Sequence, residues 1–203
     1  MILKLIEMQQ VVDLLYNEWD LGKRSSLSKG KVCAWIYLFE ILEETEKLIL
    51  KKNNNNVIGV CGYSKWGSSK YLFKKNFYKL LKNILIYSPL VKNKKAILKY
   101  NRDYDYLPEE LKDYFDGEVS ILIVDKKYRG MHYGRNLLLE IFELAKEDGM
   151  KNLQILTDES CNFLFYEKLG CKRIYEKMIP NGEMVKCGDV MYEKGFIYEK
   201  VLK

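Results

Sequence analysis

The five cysteines of this 203-residue chain, Cys33, Cys61, Cys161, Cys171 and Cys187, include no Cys-x-x-Cys pair, and there is a single histidine, His132. The ligand spacing of a structural zinc or dithiol redox site is therefore missing. An odd number of cysteines fits reduced thiols in a cytosol. No window approaches the roughly 20 apolar residues of a membrane span. The opening residues 1–7 carry no basic region, no continuous apolar stretch and no small-residue cleavage site, so they do not read as a secretory signal. A long basic block is missing too. Lys plus Arg number 34 against 28 Asp plus Glu, a net charge of +6, but the excess is scattered in pairs. A specific nucleic-acid binder gathers such charge on one face, so the surplus reads as modest attraction to anions. A phosphate-rich cofactor would use the same charge. With no internal repeat and 48% apolar residues, residues 1–203 read as one cytoplasmic domain with a full core.

Periodicity supplies the elements. Residues 2–6 read as a short strand, and residues 9–19 as a helix with Val11, Val12, Leu14, Leu15 and Trp19 at helical spacing, stopped by Gly22. A second helix fits residues 31–44. Strands at 48–52 and 57–64 flank four asparagines, which tolerate left-handed torsions, so the pair reads as a hairpin. Residues 70–100 read as a helical insertion broken at Ser88-Pro89. Pro108 can begin a short helix over 109–115. A strand at 119–124, a helix at 135–148 ending at Gly149, a strand at 152–156 and a helix at 160–169 ending at Gly170 follow. A strand at 172–179, a turn at Pro180-Asn181-Gly182 and a last strand at 190–202 complete the chain. This succession predicts an α/β or α+β sheet protein.

The most informative stretch is residues 118–136, where an apolar strand runs through a glycine-containing basic turn into an amphipathic helix. A turn that aims successive backbone N–H groups at one point, at the positive end of a helix, binds phosphate or pyrophosphate without a metal. Gly130 and Gly134 also suit an ordinary strand-to-helix turn.

Arg129-Gly130-Met131-His132-Tyr133-Gly134, followed by Leu137 and Leu138, resembles the acetyl-CoA signature of the GNAT superfamily of N-acyltransferases, Arg/Gln-x-x-Gly-x-Gly/Ala. Tyr166-Glu167-Lys168-Leu169-Gly170-Cys171 is similar to its second signature, Tyr-x-x-x-Gly-aromatic. His132 stands where the middle glycine is usual, and Cys171 where an aromatic is usual. His132 keeps its N–H and can serve the cradle provided its φ is negative. The resemblance covers residues 117–180 and implies a mixed, mostly antiparallel sheet flanked by helices. It implies acetyl-CoA as cofactor and transfer of an acetyl group to a primary amine by direct attack in a ternary complex. The acceptor would be a small molecule or a protein amine, and the chain a monomer or homodimer. A non-catalytic acyl-CoA-binding or interaction module on the same fold is the alternative.

By this resemblance, the amides of Arg129, Gly130, Met131, His132, Tyr133 and Gly134 would hold the pyrophosphate, with Lys126, Lys127 and Arg135 adding longer-range attraction. The strand at 119–124 would part from that at 152–156, and the N–H of Ile123 or Val124 would polarise the thioester carbonyl. The same strand could equally be plain core. Tyr166 occupies the general-acid position, since a phenol can protonate a departing thiolate, although a packing tyrosine is the other reading. Glu118 is the first candidate for the base, or an exposed strand-end glutamate. His132 is the only histidine, and that side chain is a common general base, yet its loop position points to solvent or cofactor. Asn162 would reach the pantetheine arm. Asp158 and Glu159 would cap the following helix or meet the substrate. Cys161 has no activating histidine nearby, so no covalent intermediate is required.

Overall fold

The computed structural model describes residues 3–19, 28–95, 97–98, 107–184 and 190–202. Gly22 and Cys187 lie outside these. Helix α1 spans Leu5–Glu18 and α2 Val32–Glu44; β1 is Lys47–Asn53, β2 Asn56–Lys65 and α3 Leu72–Ile86. Next come a 3₁₀ turn at Glu109–Leu111, β3 at Gly117–Val124 and a second 3₁₀ turn at Lys126–Tyr128. Helix α4 is Tyr133–Glu147, β4 Asn152–Asp158, α5 Leu164–Glu167, β5 Lys172–Met184 and β6 Val190–Val201.

The six strands form one sheet in the order β1-β2-β3-β4-β6-β5, antiparallel except for the parallel neighbours β3 and β4. Helices α1 and α2 bury Val11, Val12, Leu15, Leu38 and Leu42 against Val60, Ile121 and Ile123 on one face. Helix α4 buries Leu137, Leu138, Ile141 and Ala145 against Cys61, Tyr63, Leu153 and Ile155 on the other. The mixed, mostly antiparallel sheet flanked by helices is therefore present. Helix α3, the predicted insertion, packs outside α2, where Lys82 meets Glu43 at 2.7 Å. Among the described residues no helix is long and apolar enough to cross a membrane.

Four sequence expectations differ in detail. The strand expected at 2–6 is instead the start of α1 from Leu5, because Glu7 accepts the Lys4 N–H at 2.7 Å and satisfies a free amide there. Leu5 and Ile6, which suggested a strand, face solvent. The helix expected over 109–115 is only the three-residue 3₁₀ turn. The helix expected over 160–169 shrinks to α5, because Asp158 captures the Ser160 N–H and hydroxyl at 3.0 and 2.5 Å and makes a tight turn first. The turn expected at Pro180 is continuous strand: Pro180 pairs opposite Tyr192 on the edge strand, where a missing N–H is tolerated.

Candidate active site

The site begins with an irregularity in β3. Gly62 pairs with Ile121 but Tyr63 pairs with Val119, so Ser120 has no partner in β2 and forms a bulge. Its hydroxyl lies 2.8 Å from that of Thr45 at the end of α2. The bulge resets the alternation: Val119 packs on the α4 face, whereas Ile121 and Ile123 pack on the α1/α2 face. On its other side β3 shares one register pair with β4, Glu118 with Gln154, after which the strands part. A wedge opens toward their C-terminal ends, as the resemblance implied.

The free edge of β3 has a definite set of donors. Asp125 N–H bonds to Ile58 O at 2.9 Å, toward β2. Alternation along an antiparallel strand then aims the Ile123 N–H at β2 and turns those of Leu122 and Val124 toward the wedge. Of the two candidate oxyanion donors, Val124 has its amide on the open edge and Ile123 has its amide in the sheet ladder.

Beyond β3 the chain enters the expected cradle. Asp125 accepts the Lys127 N–H at 2.9 Å and the Tyr128 N–H on its carbonyl at 2.8 Å. Arg129 commits its N–H to Lys126 O, its Nε to Val124 O at 3.1 Å and its Nη2 to Glu18 at 2.6 Å. It braces the loop between β3 and α1. The next six amides, those of Gly130, Met131, His132, Tyr133, Gly134 and Arg135, have no acceptor among the described residues. They ring the N-terminus of the 15-residue helix α4, with the exposed Lys126, Lys127 and Arg135 nearby. A Cβ placed on Gly134 would meet nothing closer than Val124 Cγ2 at 3.6 Å, so the protein itself leaves that approach clear. This donor set fits a pyrophosphate. His132 departs from the sequence expectation in one respect: its φ is +60°, left-handed, not negative. The condition of a negative φ therefore fails, but the backbone takes the torsion a glycine would favour, so the His132 N–H keeps the free direction that a glycine there would give it.

Tyr166 is partly buried on the α4 face, edge-on to Phe165 with centroids 5.3 Å apart and tilted against Tyr198 at 5.7 Å. Its hydroxyl has no hydrogen-bond partner among the described residues, and burial raises its pKa well above the ordinary phenol value. It keeps a proton that nothing else holds. The neighbouring Cys161 is likewise raised by burial and by Asp158, so it remains a thiol. Asn162 is exposed just before α5. Asp158 is buried and caps its own turn, while Glu159 is exposed.

Glu118 lies on the opposite face, at the closed end of the wedge. Its carboxylate accepts from Ser64 Oγ at 3.2 Å and from Gln154 Nε2 at 3.1 Å. Register continues this row: Ser64 pairs with Glu118, Glu118 with Gln154, and Gln154 with Glu199, which also accepts from Tyr114 at 2.5 Å. Ser64, Gln154 and Glu199 are buried, and Gln154 Oε1 is a buried acceptor with no partner among the described residues. The row was not recognised in the sequence. Its members sit on four separate strands, and only register brings them together.

Residues 9–171 match the profile of the Acetyltransferase (GNAT) family. No curated protein sequence matches. Among solved structures, smu.2055 from Streptococcus mutans UA159 superposes with a TM-score of 0.56 at 17% identity, over 99% of this chain and 97% of that one. An aminoglycoside 6'-N-acetyltransferase complexed with coenzyme A gives 0.57 at 14%, over 98% and 93%. The ribosomal-protein-S18-alanine N-acetyltransferase from Escherichia coli gives 0.51 at 11%, over 99% and 91%. These structures share the fold, and the profile match over most of the chain, with both signatures in place on a wedge-split sheet, makes this protein a member of the GNAT acetyltransferase family.

Proposed function

We propose that the chain is an N-acetyltransferase that uses acetyl-CoA, with the six unclaimed amides of residues 130–135 at the mouth of the wedge as the observation that carries the reading. Those amides and the positive end of α4 would hold the pyrophosphate, and Gly134 would allow its close approach. The cofactor supplies an activated thioester. The Val124 and Leu122 amides would offer donors to the oxygen that gains charge during attack. Tyr166, protonated through the alkaline range, would deliver its proton to the leaving sulfur. Glu118 would relieve the attacking amine of a proton, directly or through water.

Acid and base candidates flank the parted strands from opposite faces of the sheet. That geometry supports direct attack from one side with departure to the other and needs no cysteine nucleophile. The row beside Glu118 offers acceptors, namely the two carboxylates and Gln154 Oε1. Acceptors of this kind suit the N–H groups of a primary amine. A small-molecule amine is our first choice of acceptor and a protein amine the second. The family fold hosts both kinds, so it does not choose between them.

Isothermal titration with acetyl-CoA, followed by free-thiol release across a panel of amines, tests the reading. Micromolar binding with amine-dependent thiol release is expected. Absence of binding at high micromolar cofactor would refute the enzyme. Binding without release from any amine would favour the non-catalytic module.

A further inference from the structure

Helix α3 is not fully covered by the rest of the protein. Its inner side presents Tyr78, Leu81, Leu85 and Ile86 to α2 and the neighbouring core, with Tyr78 stacked on Phe39 at 6.0 Å. Its outer side presents Phe73, Phe77, Leu80, Ile84 and Tyr87, which are 86%, 48%, 57%, 56% and 67% exposed. Successive members are separated by 4, 3, 4 and 3 residues. At about 100° per residue they fall within an arc of about 80°, a continuous stripe along the whole helix. Among the described residues only Lys94 reaches it, its ammonium 5.0 Å from the centre of the Tyr87 ring at the C-terminal end.

The spacing and the chemistry of the rim identify the occupant. A 4-3-4-3 apolar seam is the surface one helix offers to another for knobs-into-holes packing. The positions flanking it on one side are Asn76 and Asn83. On the helix itself the nearest charges, Lys74 and Lys79, stand about 100° or more from the centre of the stripe. Lys74 is further turned inward onto Thr45 O, and Lys82 onto Glu43 and Glu40. An antiparallel pair keeps the two Lys94 ammoniums at opposite ends of the seam, so two copies can bring their seams together without juxtaposing these charges, despite the net charge of +6 on each. An antiparallel pair also sets the two helix dipoles in opposition, which is favourable. A lipid surface fits less well, since interfacial helices ring the apolar stripe with free basic residues.

Area supports the same conclusion. Taking about 200 Å² for each large apolar side chain and the exposures above, the stripe presents roughly 600 Å². That is the upper end for a patch on a monomer. Doubled in a symmetric pair, it gives roughly 1,200 Å², within the range of specific interfaces. We propose that the protein is a two-fold dimer through antiparallel packing of α3 on its copy, with Leu80 at the axis, Phe73 facing Tyr87 and Phe77 facing Ile84 of the second copy.

Sedimentation velocity at tens of micromolar protein tests this. The wild type should run at twice the chain mass of 24.1 kDa, and Leu80→Asp at the monomer mass with an unchanged circular dichroism spectrum, since Leu80 lies outside the core. A wild-type monomer, including one that floats with anionic phosphatidylserine vesicles, would overturn the proposal. So would a Leu80→Asp dimer. Leu80→Cys treated with a mild oxidant should give a disulfide-linked dimer, whereas Glu140→Cys on the exposed side of α4 should not. Equal cross-linking of the two would also overturn it.

Discussion

Replacing His132 by glycine tests the cradle more sharply than any other single change. His132 holds φ +60° at the N-cap of α4, its side chain is exposed, and that side chain bonds to no helix amide. Removing it therefore costs no contact. A left-handed residue with a Cβ is strained by roughly 1–2 kcal/mol, with histidine toward the lower end because it tolerates this region better than most. The added freedom of glycine in the unfolded chain offsets about 0.4–1 kcal/mol. The balance favours His132→Gly by about 0.5 kcal/mol, a rise in melting temperature of about 1–2 °C for a chain of this length. His132→Ala should gain nothing, since alanine keeps the Cβ and loses the local preference. The backbone N–H is retained in both, so acetyl-CoA affinity by calorimetry should stay within about threefold for the glycine variant. Melting curves ranking glycine below histidine would refute the strain argument. A tenfold or greater loss of acetyl-CoA affinity in His132→Gly would show that the imidazole itself holds the cofactor.

Tyr166→Phe should lower kcat by about 10²–10⁴ while leaving acetyl-CoA affinity unchanged, because the hydroxyl has no structural partner to lose; equal turnover would remove Tyr166 from the acid role. Its raised pKa also means the acid stays protonated, so stopped-flow rates should show no fall from this group between pH 8 and about 10. Glu118→Gln should reduce kcat with little change in cofactor affinity, and a normal rate would assign Glu118 to the row's structure alone. Asp148 accepts from Tyr63 at 2.6 Å and Lys47 at 3.0 Å, which hold its carboxyl below the usual range. A depressed folded pKa contributes stability above the unfolded value of about 3.9 and loses it as pH falls through the folded one. Asp148→Asn should thus cost about 1–3 kcal/mol at neutral pH and flatten the acid dependence below about pH 4 in thermal melts. A Cβ on Gly117 would lie 2.0 Å from Ser64 O, so Gly117→Ala should cost about 1–3 kcal/mol or more in urea unfolding; a neutral result would mean β2 and β3 can separate freely beside Glu118.

The parts of this molecule that local chemistry dictates were legible in the sequence. The asparagine run makes the β1–β2 hairpin with Asn54 and Asn55 at φ 47° and 67°, and the periodicities of α2 and α4 fix their buried faces. The turn into α4 was legible because Gly130, Gly134 and a helix start are local features. The left-handed torsion of His132 was not, because the residue there argues against it. Neither was the exposure of α3. An apolar stripe at helical spacing reads as core whether or not anything covers it. The Ser64, Glu118, Gln154 and Glu199 row depends on register across four strands, which no single stretch encodes.

The bulge at Ser120 is the least legible feature and the one on which the proposed chemistry turns. With side chains alternating every residue, a continuous β3 carrying Leu122 and Val124 on the α4 face would carry Glu118 there too. Its carboxylate would then enter the apolar layer of Cys61, Tyr63 and Leu137 and lose the donors Ser64 and Gln154. One extra residue sends Glu118 to the other face, where Ser64 and Gln154 donate to it, and leaves Val119 to fill the α4 side. Thr45 holds the extra residue by its hydroxyl. A single inserted position thus separates the candidate base from the candidate acid across the sheet, and the parting of β3 from β4 opens the space between them.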